Sequence, residues 1–201
     1  IDNITDAYNH AARGTGLYEE FIPDEEVRRH VELHADLTDS LHTDLHECLG
    51  HGSGQLLPGV SGDALGEHAS TLEETRADLF ALYFLADPKM IELGLLTDPH
   101  AYKANYYKYM LNGLMTQLVR IKRGEVIEEA HMRNRALIAR YVLEHAERPG
   151  AMSLVCQGGK TTLVIEDYEA VRAIIADLLA EVQRIKSEGD YTAGKALVER
   201  Y

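Results

Sequence analysis

ASTLEETRADLFALYFLA, residues 69–86, holds neither glycine nor proline, and its apolar side chains recur every three or four positions. That period is helical. The first half of the stretch carries Glu73, Glu74 and Asp78, and the second carries Leu79, Phe80, Leu82, Tyr83 and Phe84. Glu74 and Asp78 are four residues apart, so one face of the helix presents two carboxylates. Working outward, the same spacing extends over 25–50, 99–122, 125–146 and 167–199, the last broken near Gly189. Glycines and prolines between 52 and 67 mark an irregular loop. One stretch departs from the helical habit. Met152 to Cys156 and Thr161 to Ile165 are rich in β-branched residues and flank Gly158-Gly159, which reads as a β-hairpin. The fold class predicted is mainly α with one small β-hairpin, in a single domain over 1–201.

Composition narrows the function. The 201 residues suffice for a substantial core, and 45% hydrophobic with 26% charged residues is ordinary for a folded protein. Lys plus Arg number 20 against 33 Asp plus Glu, a net charge of −13, which disfavours nucleic acid and anionic membrane surfaces as partners. No apolar run approaches the roughly 20 residues that span a bilayer. Cys48 and Cys156 form no disulfide framework, which suits a reducing compartment and a cytoplasmic location. The first residue is Ile rather than Met, so the chain is expected to be a piece of a longer protein.

The strongest chemical signal is His46-Glu47-Cys48-Leu49-Gly50-His51, two imidazoles bracketing a carboxylate at the end of a helix. It resembles the His-Glu-x-x-His signature of zinc hydrolases, with one residue added. In a regular α-helix a five-residue spacing turns the second imidazole roughly 140° from the first, too far to share an ion. A π-type bulge over Cys48 to His51 would bring them together, and Gly50 is expected to bear the unusual torsions. A catalytic zinc site takes a third protein ligand and keeps one position open. The helix at 69–86 offers it: one of Glu74 and Asp78 binds the metal while the other holds an imidazole by hydrogen bond. Two regular pairs, His30 with His34 and His42 with His46, compete on spacing alone. Cys48 is expected to point away from the ion as a small buried residue. Tyr102, Tyr106, Tyr107 and Tyr109 read as core and rim, and Arg184 to Lys186 equally as a contact for a peptide's carboxyl end or as an exposed helix terminus.

The lengthened histidine pair followed by Glu-Glu-x-Arg-Ala-acidic resembles the dipeptidyl peptidase III family of zinc exopeptidases. The likeness extends through His51-Gly52-Ser53-Gly54, Ala130-His131-Met132 and the segment from Glu181 to Tyr191. The resemblance implies one Zn2+ held by His46, His51 and Glu74, with Glu47 activating water. Glu73 and Asp78 become the carboxylates behind the ligands. His131, with Arg135 nearby, becomes the group that stabilises the reacting carbonyl oxygen. It also implies a second lobe in the full-length protein that grips the substrate and its free amino terminus, this chain being the helical, zinc-carrying lobe. The expected function is release of dipeptides from the amino end of short peptides. Two alternatives stand beside it: a zinc-binding helical module without activity of its own, and a zinc endopeptidase.

Overall fold

The computed structural model describes residues 16–122, 127, 130–146 and 150–201. A short helix α1, Leu17–Phe21, leads into α2, Glu25–Leu45. Helix α2 begins where the Asp24 carboxylate accepts from the backbone N–H groups of Glu26 and Val27, two of the donors that a first turn leaves unpaired. Its buried positions, Val31, Ala35, Thr38, Leu41 and Leu45, step by three and four residues. The helix does not stop at Leu45 but runs into a π turn, His46–His51.

Helix α3, Ala69–Leu85, is the centre of the molecule, packed against by α2, the π turn, α6 (Ala130–Ala146) and α7 (Tyr168–Glu188). Leu72, Ala77, Leu79, Ala81, Leu82 and Leu85 are buried on it, and so are Thr75, Arg76 and Asp78. A helix buried on nearly every side has room for charged groups only where partners meet them. A short α4, Lys89–Glu92, leads by way of a loop to α5, Tyr102–Leu114, which lies between α2 and α6.

The tyrosines of α5 are core residues whose hydroxyls each find an acceptor. Tyr102 donates to Glu169, Tyr106 to the Leu82 carbonyl, Tyr107 to the Leu163 carbonyl and Tyr109 to Asp78. The expected helix over 99–122 is divided. It ends at Leu114, Met115 leaves helical geometry at φ −137°, and a 3₁₀ turn follows over Thr116–Arg120. Gly113, a poor helix former, sits at this point because α6 comes close: a Cβ there would lie 2.4 Å from the Arg135 carbonyl oxygen. Gln117 then donates to the Met132 carbonyl at 2.9 Å, tying the turn to α6.

Helix α6 spans Ala130–Ala146; positions 125, 126, 128 and 129 of the helix expected from 125 lie outside the described residues. Strands β1, Met152–Gln157, and β2, Lys160–Ile165, pair antiparallel from Met152↔Ile165 to Gln157↔Lys160. Gly158 and Gly159 have φ of +60° and +77°, the two positive values a tight two-residue hairpin turn requires. Met152 and Leu163 anchor the hairpin in the core. Helix α7, Tyr168–Glu188, is capped by Asp167 and ends at left-handed Gly189. Helix α8, Tyr191–Arg200, restarts on the Asp190 cap. The loop after the π turn is held to α7 by a hydrogen bond from Leu57 N to the Ser187 carbonyl and closes with a 3₁₀ turn at Gly66–His68. Among the described residues no helix is long and apolar enough to cross a membrane.

Candidate metal centre

The π turn accommodates the extra residue and sets the His46 and His51 rings 4.6 Å apart between centroids at 84°. Their Nε2 atoms are 2.9 Å apart. Glycine at position 50 serves a different purpose from the one expected, since its φ is not positive. A Cβ there would lie 2.6 Å from Ala77 Cα and 2.7 Å from Ala77 Cβ. Gly50 is therefore needed so that the π turn can lie directly on α3, which brings both imidazoles to Glu74.

The other face of each imidazole is held by a carboxylate. His46 Nδ1–H donates to Asp78 Oδ1 at 2.6 Å, and His51 Nδ1–H donates to Glu73 Oε1 at 3.1 Å. A neutral ring with its proton on Nδ1 presents a lone pair at Nε2. Two such lone pairs face each other here. Glu74 closes the set, with Oε2 3.4 Å from His46 Nε2 and Oε1 3.8 Å from His51 Nε2. Glu74 Oε2 is buried and makes no hydrogen bond among the described residues. Two nitrogen lone pairs and a carboxylate converging without a proton to share fit a cation such as a divalent metal ion. The field at His46 has the same sense. Burial works against its charged form, but the Asp78 hydrogen bond and the charges of Asp78, Glu74 and Glu47 raise its pKa, and what favours a proton favours a metal cation.

A second trio, His42, His46 and Asp78, also has ligand atoms within reach of one another. Its atoms are already satisfied. Asp78, 5% exposed, accepts from His46 and His42 on Oδ1 and from Tyr109 and Asn134 on Oδ2, at 2.7 and 2.8 Å for the last two. Burial alone would raise its pKa, yet the hydrogen bonds and charges of His42 and His46 hold its carboxyl well below the ordinary range. The His30–His34 pair is occupied as well: His30 Nε2 meets the His100 carbonyl at 3.0 Å and His34 Nε2 meets Asp98 at 3.2 Å.

Glu73, behind His51, is built differently. Arg76 and Lys186 both donate to it, in addition to His51. Against the effect of burial, these donors pull its pKa to about 2. Arg76 is fully buried and reaches further, donating to the Gly50 and Ser53 carbonyls at 2.7 and 3.0 Å. One guanidinium thus joins α3 to the end of the π turn. Lys186, for which the sequence left open a peptide contact or an exposed helix terminus, is half-buried on Glu73.

Glu47 is exposed on the π turn. Cys48 is exposed too, contrary to the buried position expected, because the π turn wraps one face of its residues onto α3 and leaves the other in water. His131, in the first turn of α6 and 53% exposed, brings Nε2 within 3.2 Å of Glu74 Oε2. Arg135 lies half-buried one turn later, its charge felt at the Tyr109 hydroxyl. Sequence reading placed Tyr109 and Lys186 away from the metal site and left Arg76 and Asn134 without roles. Only Arg76 carried a local signal, standing inside the Glu73 to Asp78 motif.

Residues 60–201 match the model for peptidase family M49. Dipeptidyl peptidase 3 of Mus musculus is 27% identical over 199 residues, covering 78% of this chain and 27% of that protein. Its counterpart from Nematostella vectensis is 24% identical over 221 residues, covering 90% and 30%. Among solved structures, DPP III from Caldithrix abyssi superposes with a TM-score of 0.74 at 24% identity, covering 100% of this chain and 35% of that one. Dipeptidyl-peptidase III from Corallococcus sp. strain EGB gives 0.69 at 19%, covering 97% and 34%. These two likenesses are of fold. The chain spans between 27% and 30% of those two relatives. With most of its length inside the family pattern, the chain belongs to peptidase family M49.

Proposed function

We propose that this chain carries the zinc site and the general base of a dipeptidyl peptidase III-type metallopeptidase, which releases dipeptides from the amino end of short peptides. A second lobe of the full-length protein would complete the cleft. The observation that supports this reading is the convergence of His46 Nε2, His51 Nε2 and the Glu74 carboxylate. Two imidazole nitrogens with one carboxylate form a donor set characteristic of catalytic zinc, which keeps its fourth position for water.

The chemistry that zinc supplies at such a site is Lewis acidity, which lowers the pKa of water to about 7 and polarises a carbonyl. His46, His51 and Glu74 would hold the ion. Asp78 and Glu73 keep the proton of each imidazole on Nδ1, so that Nε2 is the nitrogen offered. Glu47, exposed between the histidines, takes the proton of the attacking water and passes one to the leaving amine. His131 donates to the carbonyl oxygen as it becomes negative, a contribution whose removal costs about 100-fold or more in rate. Cleavage two residues from the amino end requires an anchor for the substrate ammonium, which the remainder of the protein would provide.

The test is hydrolysis of a dipeptidyl arylamide by the full-length protein. Activity should vanish with a chelator, return with zinc, and vanish in Glu47→Gln while that variant still binds zinc. Full activity in Glu47→Gln would remove the general base. Efficient cleavage of amino-terminally blocked peptides would replace the exopeptidase reading with an endopeptidase one.

A further inference from the structure

Between the loop that follows the π turn, the start of α3 and the end of α7 lies a cavity of about 270 Å³ to which the hydrolysis assigns no part. Its wall is held in place. The loop is tied to α7 by the hydrogen bond from Leu57 N to the Ser187 carbonyl at 2.8 Å. Left-handed Gly189 lets the two lie close, since a Cβ there would meet Val60 Cγ1 at 2.7 Å and Ala64 Cβ at 2.8 Å. Leu56, Ala64, Leu65, Ala69 and Leu72 give the lining its apolar surface. Leu65 and Leu72 are buried, whereas Leu56 is 39% exposed. A volume just under the roughly 300 Å³ at which small-molecule pockets begin suits a ligand of few atoms.

Two charged groups share that lining, Glu73 and Lys186. Glu73 is saturated, with His51 and Arg76 donating to Oε1 and Arg76 and Lys186 donating to Oε2. Lys186 is not. An ammonium carries three N–H donors, and among the described residues only the Glu73 bond, at 2.6 Å, draws on them. Arg76 and Lys186 bring two positive charges to the one negative charge of Glu73, which leaves one in excess. A monoanion balances that excess, whereas a cation entering the cavity finds the Glu73 carboxylate already taken. The Lys186 side chain is 24% exposed, so water weakens its attraction less than it does for a surface lysine. We propose that this cavity binds a short aliphatic carboxylate, free or as the carboxyl-terminal residue of a peptide, with the carboxylate on Lys186 Nζ and the hydrocarbon against Leu56, Leu65 and Leu72.

The test is isothermal titration calorimetry on the full-length protein with 4-methylpentanoate and with its neutral amide. The acid is expected to bind with a dissociation constant of about 1 mM or below, and the amide at least about tenfold more weakly, because it forgoes the charge-assisted bond to Lys186. Lys186→Met should weaken the acid by about tenfold or more. So should Ala69→Leu, which fills the cavity and leaves the Glu73–Lys186 pair in place. Circular dichroism checks that both variants are folded, and the comparison of acid with amide needs only the wild type. No binding of the acid overturns the proposal, and equal binding of acid and amide overturns recognition by Lys186. Undiminished binding in folded Ala69→Leu places the acid elsewhere, at the metal centre for example, and overturns the site. N-acetylglycyl-leucine separates the two sources. Binding that shows the same two losses upholds the site with a peptide's carboxyl end as occupant, and binding of the free acid alone upholds it for the free acid. Failure of the proposal leaves the zinc reading standing, since the titration of the two variants reports on the cavity and not on the ion.

Discussion

The two carboxylates that hold the imidazoles, Asp78 behind His46 and Glu73 behind His51, occupy opposite environments on the same helix. Asp78 is enclosed, with hydrogen bonds from His42, His46, Tyr109 and Asn134, contributed by α2, the π turn, α5 and α6. Glu73 is half-buried at the edge of the loop, held by Arg76, Lys186 and His51. The enclosed side has no water to replace a missing partner, whereas the rim side does. One imidazole is thus anchored in the core and the other at the surface. The core anchor fixes the geometry, and the rim anchor leaves that side accessible to water.

The sharpest way to break this comparison is Asp78→Asn, which leaves the shape and removes the charge. Four donors then meet a group that also carries hydrogens. Denaturant unfolding with chelator present, so that metal loss does not contribute, should show a cost of about 3–5 kcal/mol, as for a buried pair deprived of one partner. A cost no larger than that of a surface substitution would mean that the enclosure of Asp78 has no energetic consequence. Gly50→Ala comes next. Its methyl would meet Ala77 at 2.6 Å from backbone, and overpacking of this kind costs about 1–3 kcal/mol. Since relief requires the π turn to lift from α3, zinc binding by dialysis and elemental analysis should fall together with stability. Unchanged zinc content would show that the turn tolerates the shift.

Glu73→Gln should cost less, about 1 kcal/mol, because Arg76 retains the Gly50 and Ser53 carbonyls and water reaches the rim. The same denaturant measurement ranks it against Asp78→Asn, and a reversed order would overturn the distinction between core and rim. The smallest effect sets the surface baseline. Asp190 caps α8 by accepting from Ala193 N and also meets Arg184. The cap hydrogen bond, followed by the Arg184 contact, lowers its carboxyl pKa below the ordinary 3.8. The ionised form therefore favours the folded state, in full above the ordinary value and progressively less as pH falls through the lowered one. Asp190→Asn should lower the melting temperature slightly near neutral pH and converge with wild type in strong acid.

Much of the helical framework was legible in the residues. Gly189 as a break and Gly158-Gly159 as a hairpin turn are local signals whose physics acts within a few positions. The need for a π turn was also legible, since five-residue spacing cannot bring two rings together on a regular helix. The break at Met115 was not, because a period of apolar residues does not reveal that Gly113 sits under the backbone of α6. The short helices α1 and α4 lie below the length at which periodicity is informative. Cys48 was assigned to the interior because free cysteines are usually buried, and the π turn faces it to solvent. Gly50 was read as a torsional device and serves as a clearance.

What the residues determined by themselves is local: which long stretches are helical, which positions are apolar, and that an imidazole pair bracketing a glutamate and a cluster of acidic residues stand on two of those stretches. Only the tertiary structure decided which carboxylate faces the lone pairs and which takes the ring protons. Those assignments depend on Tyr109, Asn134 and Lys186. Donors so distant in sequence leave no local pattern; they meet Asp78 and Glu73 only because four other elements pack around α3, and a buried carboxylate stays charged only where enough donors reach it.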